Sequence, residues 1–138
     1  MLLICYNLTI KGCDFMKENF INPRQKSHTL NLIPKYFDLI KNGKKTLEGR
    51  LHDEKRQNFY IGDQIFFYKE PERKEMLQTI ILDKYLFKNF DEMAKQLNKA
   101  ELGFESQTTQ EMIDTYRSIY SKEDEEKYGV AIFRIQML

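Results

Sequence analysis

Lys45, Thr46, Glu48 and Arg50 place an amine, a hydroxyl, a carboxylate and a guanidinium in one short stretch, with a further amine at Lys44. Two kinds of chemistry suit this set. An amine with its pKa lowered by burial and a neighbouring cation serves as a base, and a carboxylate beside it moves protons. Alternatively, the planar fork of Arg50 grips a phosphate or a base edge. Glu105 is a second carboxylate; meeting Glu48 across a cleft, it would form a pair in which one member is protonated more easily than usual. On an exposed strand the same residues are ion pairs worth at most about 1 kcal/mol, and a polar strand face is most often the wet side of a sheet.

The elements around this stretch must position it. His28–Leu32 alternates as a strand, Pro34 opens a helix at its first position, and Gly43 closes that helix. Phe37, Ile40 and Tyr36 supply its inner stripe. The reactive stretch follows as a second strand, with Thr46, Glu48 and Arg50 on one face and Leu47, Gly49 and Leu51 on the other. A glycine within a strand marks close approach by another group. Residues 51–60 read as a loop or a short edge strand. Gln64–Tyr68 is apolar enough to be buried on both faces, and residues 75–87 form a further strand. Asn89 with Glu92 and Thr108 with Glu111 are capping-box pairs that start two helices. The second of these buries Met112, Ile113, Tyr116, Ile119 and Tyr120. Residues 99–107 connect the two helices. Residues 122–126 read as an acidic turn or helix end, and residues 129–135 as a central strand. This order gives an α+β fold with a mixed, partly closed sheet.

At 138 residues, with 41% hydrophobic side chains, the chain holds one domain with its own core. The net charge of +1 excludes a strong global field. Even so, Lys41, Lys44, Lys45, Arg50, Lys55 and Arg56 make one region basic, while the stretch from Glu101 to Tyr128 is acidic. The two cysteines, Cys5 and Cys13, lie near the start, and the two histidines are His28 and His52. No cysteine framework or His-rich metal site is expected, and no cofactor. No apolar run is long enough to span a bilayer; a cytoplasmic protein is expected, with no membrane partner. Residues 1–27 read as an N-terminal extension to a domain over 28–138. Met16 reads as an alternative natural start, and residues 17–27 as a loose polar lead-in.

The string Gly43-x-Lys45-Thr46-x-Glu48-x-Arg50, set after Phe37-x-x-Ile40, resembles the signature of the ASCH domain family. The Ile61-Gly62-Asp63-x-Ile65-x-Phe67 segment and the ending Tyr120-Ser121-x-Glu123-x-Glu125-x-x-Tyr128-Gly129-Val130 are similar to later elements of that family. The resemblance implies a PUA-like mixed β pseudobarrel with flanking helices, and a cleft for RNA or a modified nucleoside beside the Gly-x-Lys motif. Small bacterial members that resemble this chain remove the acetyl group of N4-acetylcytidine, and others have been proposed as ribonucleases. In the amidohydrolase branch the resemblance implies Lys45 as base and Glu105 as proton donor. The nucleophile position, two before Arg50, holds Glu48 in place of the family's threonine; Thr46 lies two residues earlier.

The leading expectation is a binding domain for RNA or a modified nucleoside, without DNA specificity. Its catalytic candidates are Lys45, Glu48, Glu105 and Thr46, and its ligand contacts are Lys44, Arg50, Tyr68 and Tyr120. Tyr68, Tyr120 and Phe104 are the candidates for stacking on a base. The alternatives are an amidohydrolase of N4-acylated cytidine, a ribonuclease, and a protein-interaction module. The sequence leaves the oligomeric state open.

Overall fold

The computed structural model describes residues 25–138 in full and, before them, the backbone of β1 (Ile4–Asn7) and β2 (Met16–Asn19). The remaining strands are β3 (Ser27–Leu32), β4 (Leu47–Leu51), β5 (Gln64–Lys69), β6 (Met76–Phe87) and β7 (Val130–Met137). The helices are α1 (Pro34–Lys41), α2 (Phe90–Gln96), α3 (Thr109–Ile119) and α4 (Lys122–Tyr128), with one 3₁₀ turn at Arg56–Asn58. Five strands run β4-β7-β6-β5-β3 and curl into a half-barrel. The β3–β5 pair is parallel and the others are antiparallel. This mixed sheet with flanking helices is the PUA-like pseudobarrel expected from the sequence.

The sheet separates two cores. Residues paired across antiparallel strands share a face, so Glu48, Phe133 and Lys84 form one row, and Arg50, Ala131 and Leu86 the next. This face looks into the half-barrel, which Leu30, Ile65, Phe67, Ile81 and Phe133 fill, with Phe37 and Ile40 of α1 and with Phe59. Fully burying a side chain such as Phe37 contributes roughly 1.5–3 kcal/mol. The opposite face carries Leu47, Leu51, Val130 and Ile132, covered by Phe90, Met93, Met112, Ile113 and Tyr116 from α2 and α3.

Local chemistry sets the element ends. After α1, Gly43 adopts φ 83°. Its N–H donates to Ile40 and that of Lys44 to Leu39, the paired bonds of a Schellman ending. Thr108 and Glu111 form the full reciprocal capping box of α3, while Asn89 accepts from the Glu92 N–H at the start of α2.

Several expectations change. β4 begins at Leu47, so Thr46 lies just ahead of the strand. β5 is not buried on both faces: Ile65 and Phe67 are buried, whereas Phe66 and Tyr68 are half-buried. Residues 122–126 belong to the full helix α4, which Ser121 caps and whose first-turn acids suit its positive end. Ile119, expected on the inner stripe of α3, is 67% exposed. A bulge between Ile81 and Asp83 reverses the facing of β6, which buries Lys84 although its neighbours alternate. The lead-in over 17–27 includes β2, whose backbone pairs with β6 at Leu86 and Tyr85. The expectation that residues 1–15 precede a natural start at Met16 rests on a stretch that, apart from the backbone of β1, lies outside the described residues.

Candidate functional site

β3 and β4 are the two edge strands of the half-barrel, and the site lies at the seam between them. Glu48 and Arg50 point inward from β4, as their alternation requires. Lys45 enters from the turn after α1. Its ammonium donates to the carbonyls of Leu47 at 2.8 Å and Leu102 at 2.7 Å, and lies 3.2 Å from Glu48 Oε1. These three acceptors match the three protons of the ammonium. Arg50 donates from Nε and Nη2 to Glu48 Oε2, at 3.2 and 3.0 Å.

Two of the charges are withdrawn from water, Lys45 to 3% and Glu48 to 4% exposure, and Arg50 is half-buried. Burial pulls the Lys45 pKa below the ordinary lysine value, and Glu48 offsets part of that pull. For Glu48, burial alone would raise the pKa; the Lys45 and Arg50 charges outweigh it and hold the carboxyl below its ordinary value. Burial likewise opposes the charge on Arg50, and Glu48 more than compensates.

Two glycines permit this packing. Gly103, at φ 93°, lets the connection after α2 turn its Leu102 carbonyl onto Lys45; a Cβ there would sit 3.2 Å from Lys45 Cδ and 3.3 Å from Tyr36 Cδ1. Gly49 leaves space for Tyr116, whose hydroxyl would lie 2.8 Å from a Cβ at that position.

Above the triad opens a cavity of about 280 Å³. Tyr36, Phe104, Tyr116 and Tyr120 form its aromatic wall, Gly49 and Thr115 fill between them, and Ile33, Ile119, Asn31 and Glu70 lie along the rest of its lining. Phe90 backs the tyrosines, nearly parallel to Tyr116 at 4.7 Å and to Tyr120 at 6.1 Å between ring centres. The volume lies just below the usual range for small-molecule sites, roughly 300–1,000 Å³.

Residues 30–138 match the family model of the ASCH domain. The chain belongs to the ASCH domain family. Two solved structures are similar to this ASCH chain. Hypothetical protein PH0355 is 32% identical with a TM-score of 0.73, over 81% of this chain and 99% of its own. Protein PF0455 from Pyrococcus furiosus is 32% identical with a TM-score of 0.59, over 83% of this chain and 98% of its own. No curated protein matches.

Of the residues singled out in the sequence, the ASCH fold brings Lys45, Glu48, Arg50, Phe104 and Tyr120 to one cavity. Four others stand apart from its lining. Thr46 donates its hydroxyl to Glu101 Oε1 at 3.3 Å, which also takes Arg134 at 3.2 Å. Glu105 is exposed, and its backbone carbonyl accepts from Lys99; it forms no carboxylate pair with Glu48. Tyr68 lies beneath the Arg73 guanidinium, 4.7 Å from its ring centre. Lys44 is exposed. Two local causes account for Thr46 and Glu105. Thr46 precedes the strand, so alternation does not carry it to the face of Glu48, and the connection over 99–107 presents a backbone carbonyl to the site in place of a carboxylate.

Sequence reasoning assigned Tyr36 and Tyr116 to the core. Both are wall residues as well, and the helical spacing of Tyr116, Ile119 and Tyr120 is the signal that places three lining residues on the same end of α3. Asn31 carried no such signal, because its role here rests on its backbone carbonyl. Among the described residues, no group of three or more His, Cys, Asp or Glu is placed to hold a metal, and no helix is long and apolar enough to cross a membrane.

Proposed function

We propose that the cavity captures one nucleotide unit, either within single-stranded RNA or as a free modified nucleoside. The observation that carries this reading is the buried Lys45–Glu48–Arg50 triad beneath an aromatic wall in a cavity of one-unit size. Membership of the ASCH family, whose members are generally RNA-binding, supports the ligand class. Apolar walls with a few convergent polar groups are the usual form of such sites. Rings such as Tyr120 offer stacking worth roughly 1–3 kcal/mol per base.

The reading as an amidohydrolase has less support. It needs Lys45 as a base, but the ammonium commits each proton to an acceptor, two of them carbonyls that only a donor can satisfy. Thr46 and Glu105 lie outside the cavity lining.

The test is calorimetric titration of the full chain with the four ribonucleosides, N4-acetylcytidine and a short single-stranded RNA, at two salt concentrations. The expected result is saturable binding that Tyr120→Ala weakens, with a salt-dependent RNA arm and N4-acetylcytidine recovered intact. Absence of binding by every probe would overturn the proposal. Release of acetate that Lys45→Ala abolishes would transfer the site to the amidohydrolase reading.

A further inference from the structure

The triad carries two cations and one anion, so the cavity floor holds an unbalanced positive charge. Glu48 uses both oxygens on its two partners. Glu70 also lines the cavity and brings the formal charge of the whole lining to zero, but it makes no ion pair with Lys45 or Arg50, so the surplus is local to the buried floor. The free groups that face the cavity are chiefly donors. Arg50 spends Nε and Nη2 on Glu48 and Asn31, its Nη1 has no hydrogen bond among the described residues, and its side chain is 17% exposed. Tyr116 and Tyr120 line the cavity, and neither hydroxyl has a hydrogen bond among the described residues. Burial pushes both tyrosines above their ordinary pKa, so each keeps its proton and donates.

A ligand filling this space removes water from Arg50. A neutral ligand leaves the surplus charge desolvated and uncompensated, which is costly. An anionic ligand neutralises it and accepts from the free donors, in hydrogen bonds strengthened by charge. Resting on the nucleotide-capture reading above, we infer that the floor of the cavity binds a phosphate group, so that the preferred ligand is a phosphorylated nucleoside and not a neutral one. The phosphate belongs to a mononucleotide, a chain end or an internal diester; all three share this chemistry.

The experiment compares ligands on the unaltered protein by calorimetry: each nucleoside, its 5′- and 3′-monophosphates, a dinucleoside monophosphate and inorganic phosphate. The monophosphates are expected to bind at least about tenfold tighter than the nucleosides, the gain of one charged hydrogen bond. The 5′, 3′ and diester arms identify the source of the phosphate. Equal affinity for nucleoside and monophosphate overturns the phosphate inference and leaves nucleoside capture standing. Inorganic phosphate binding as tightly as the monophosphates removes the nucleotide reading instead, and no binding by any probe removes both.

Glu48→Gln gives an independent arm in the opposite direction from simple damage. It raises the surplus charge, so the preference for monophosphate over nucleoside must increase. A preference that stays level or falls counts against the inference; where the variant fails to fold, the ligand comparison on the unaltered protein decides.

Discussion

Arg50 Nη2 on β4 donates to the backbone carbonyl of Asn31 on β3 at 3.2 Å. The bond crosses the seam between the two edge strands of the half-barrel. One guanidinium therefore pairs the buried carboxylate of Glu48 and ties together strands that share no ladder. Arg50→Met removes both. Breaking a buried ion pair from one side leaves the other charge exposed to a low dielectric, and the expected loss is about 3 kcal/mol. Denaturant unfolding measures that loss, and faster amide exchange in β4 reports the opened seam. A variant with unchanged stability contradicts this account of Arg50.

Gly49 is a packing requirement. A Cβ there meets the Tyr116 hydroxyl at 2.8 Å and Ile132 Cδ1 at 3.0 Å. Both are buried, and Tyr116 stacks on Phe90, so neither retreats freely. Gly49→Ala is expected to cost about 1–3 kcal/mol, the usual penalty for overpacking, and to displace the Tyr116 ring within the cavity. Adding Tyr116→Phe removes the nearest atom and should recover part of the loss in thermal melts. A double variant as unstable as the sum of the single ones places the strain elsewhere.

These two residues show what the sequence carried and what it did not. Alternation along β4 put Glu48 and Arg50 on one face, and the glycine at 49 signalled a close approach, both from spacing alone. The same rule failed at Thr46, because a strand boundary is set by hydrogen bonds to a distant partner: the amides of Thr46 and Leu47 both bond the carbonyl of Glu101. A bulge in β6 between Ile81 and Asp83, which no local pattern announces, likewise turns Lys84 to the buried face. Glu105 was misplaced for a related reason. Side chains in a connection do not follow a period, and here the group that reaches the site is the Leu102 carbonyl, an atom every residue possesses.

Acid should destabilise the protein in two separate windows. Burial, then the nearby Lys84 charge, lowers the His52 pKa to about 4, and its Nε2 is buried without a partner. Unfolded histidine titrates near ~6.5. Between those values the unfolded chain takes up a proton that the folded one refuses, so stability falls as pH drops from about 6.5 towards 4. The second window lies lower. The Arg117 guanidinium holds Glu125 below the ordinary carboxylate range against the opposing effect of burial, helped by the Phe90 N–H. Glu48 is also lowered, its two cations outweighing burial. Their contribution is complete above about 4.3 and is lost as pH falls through the lowered values. Denaturant midpoints across pH measure both. His52→Gln should flatten the upper slope alone, and Glu125→Gln should reduce the lower slope while leaving the upper intact. An upper slope that survives His52→Gln assigns that proton to another group.

Lys45 holds the site together before it meets any ligand. Its ammonium joins the carbonyl of Leu47 on β4 to that of Leu102 in the connection between α2 and α3. It also shares Glu48 with Arg50. Lys45→Met keeps an unbranched side chain, one atom shorter, and deletes these bonds together. Two carbonyls are then left short of a donor and Glu48 of a cation, and the expected loss is about 3–5 kcal/mol. The connection should loosen first, with faster exchange at the amides of Gly103 and Phe104, which bond back to Ala100 and Lys99. A lysine that served only chemistry would leave stability and exchange at their original values when replaced. Loss of activity in a Lys45 variant therefore does not identify a base unless exchange at Gly103 and Phe104 is unchanged, and the bonds around Lys45 lead us to expect the opposite.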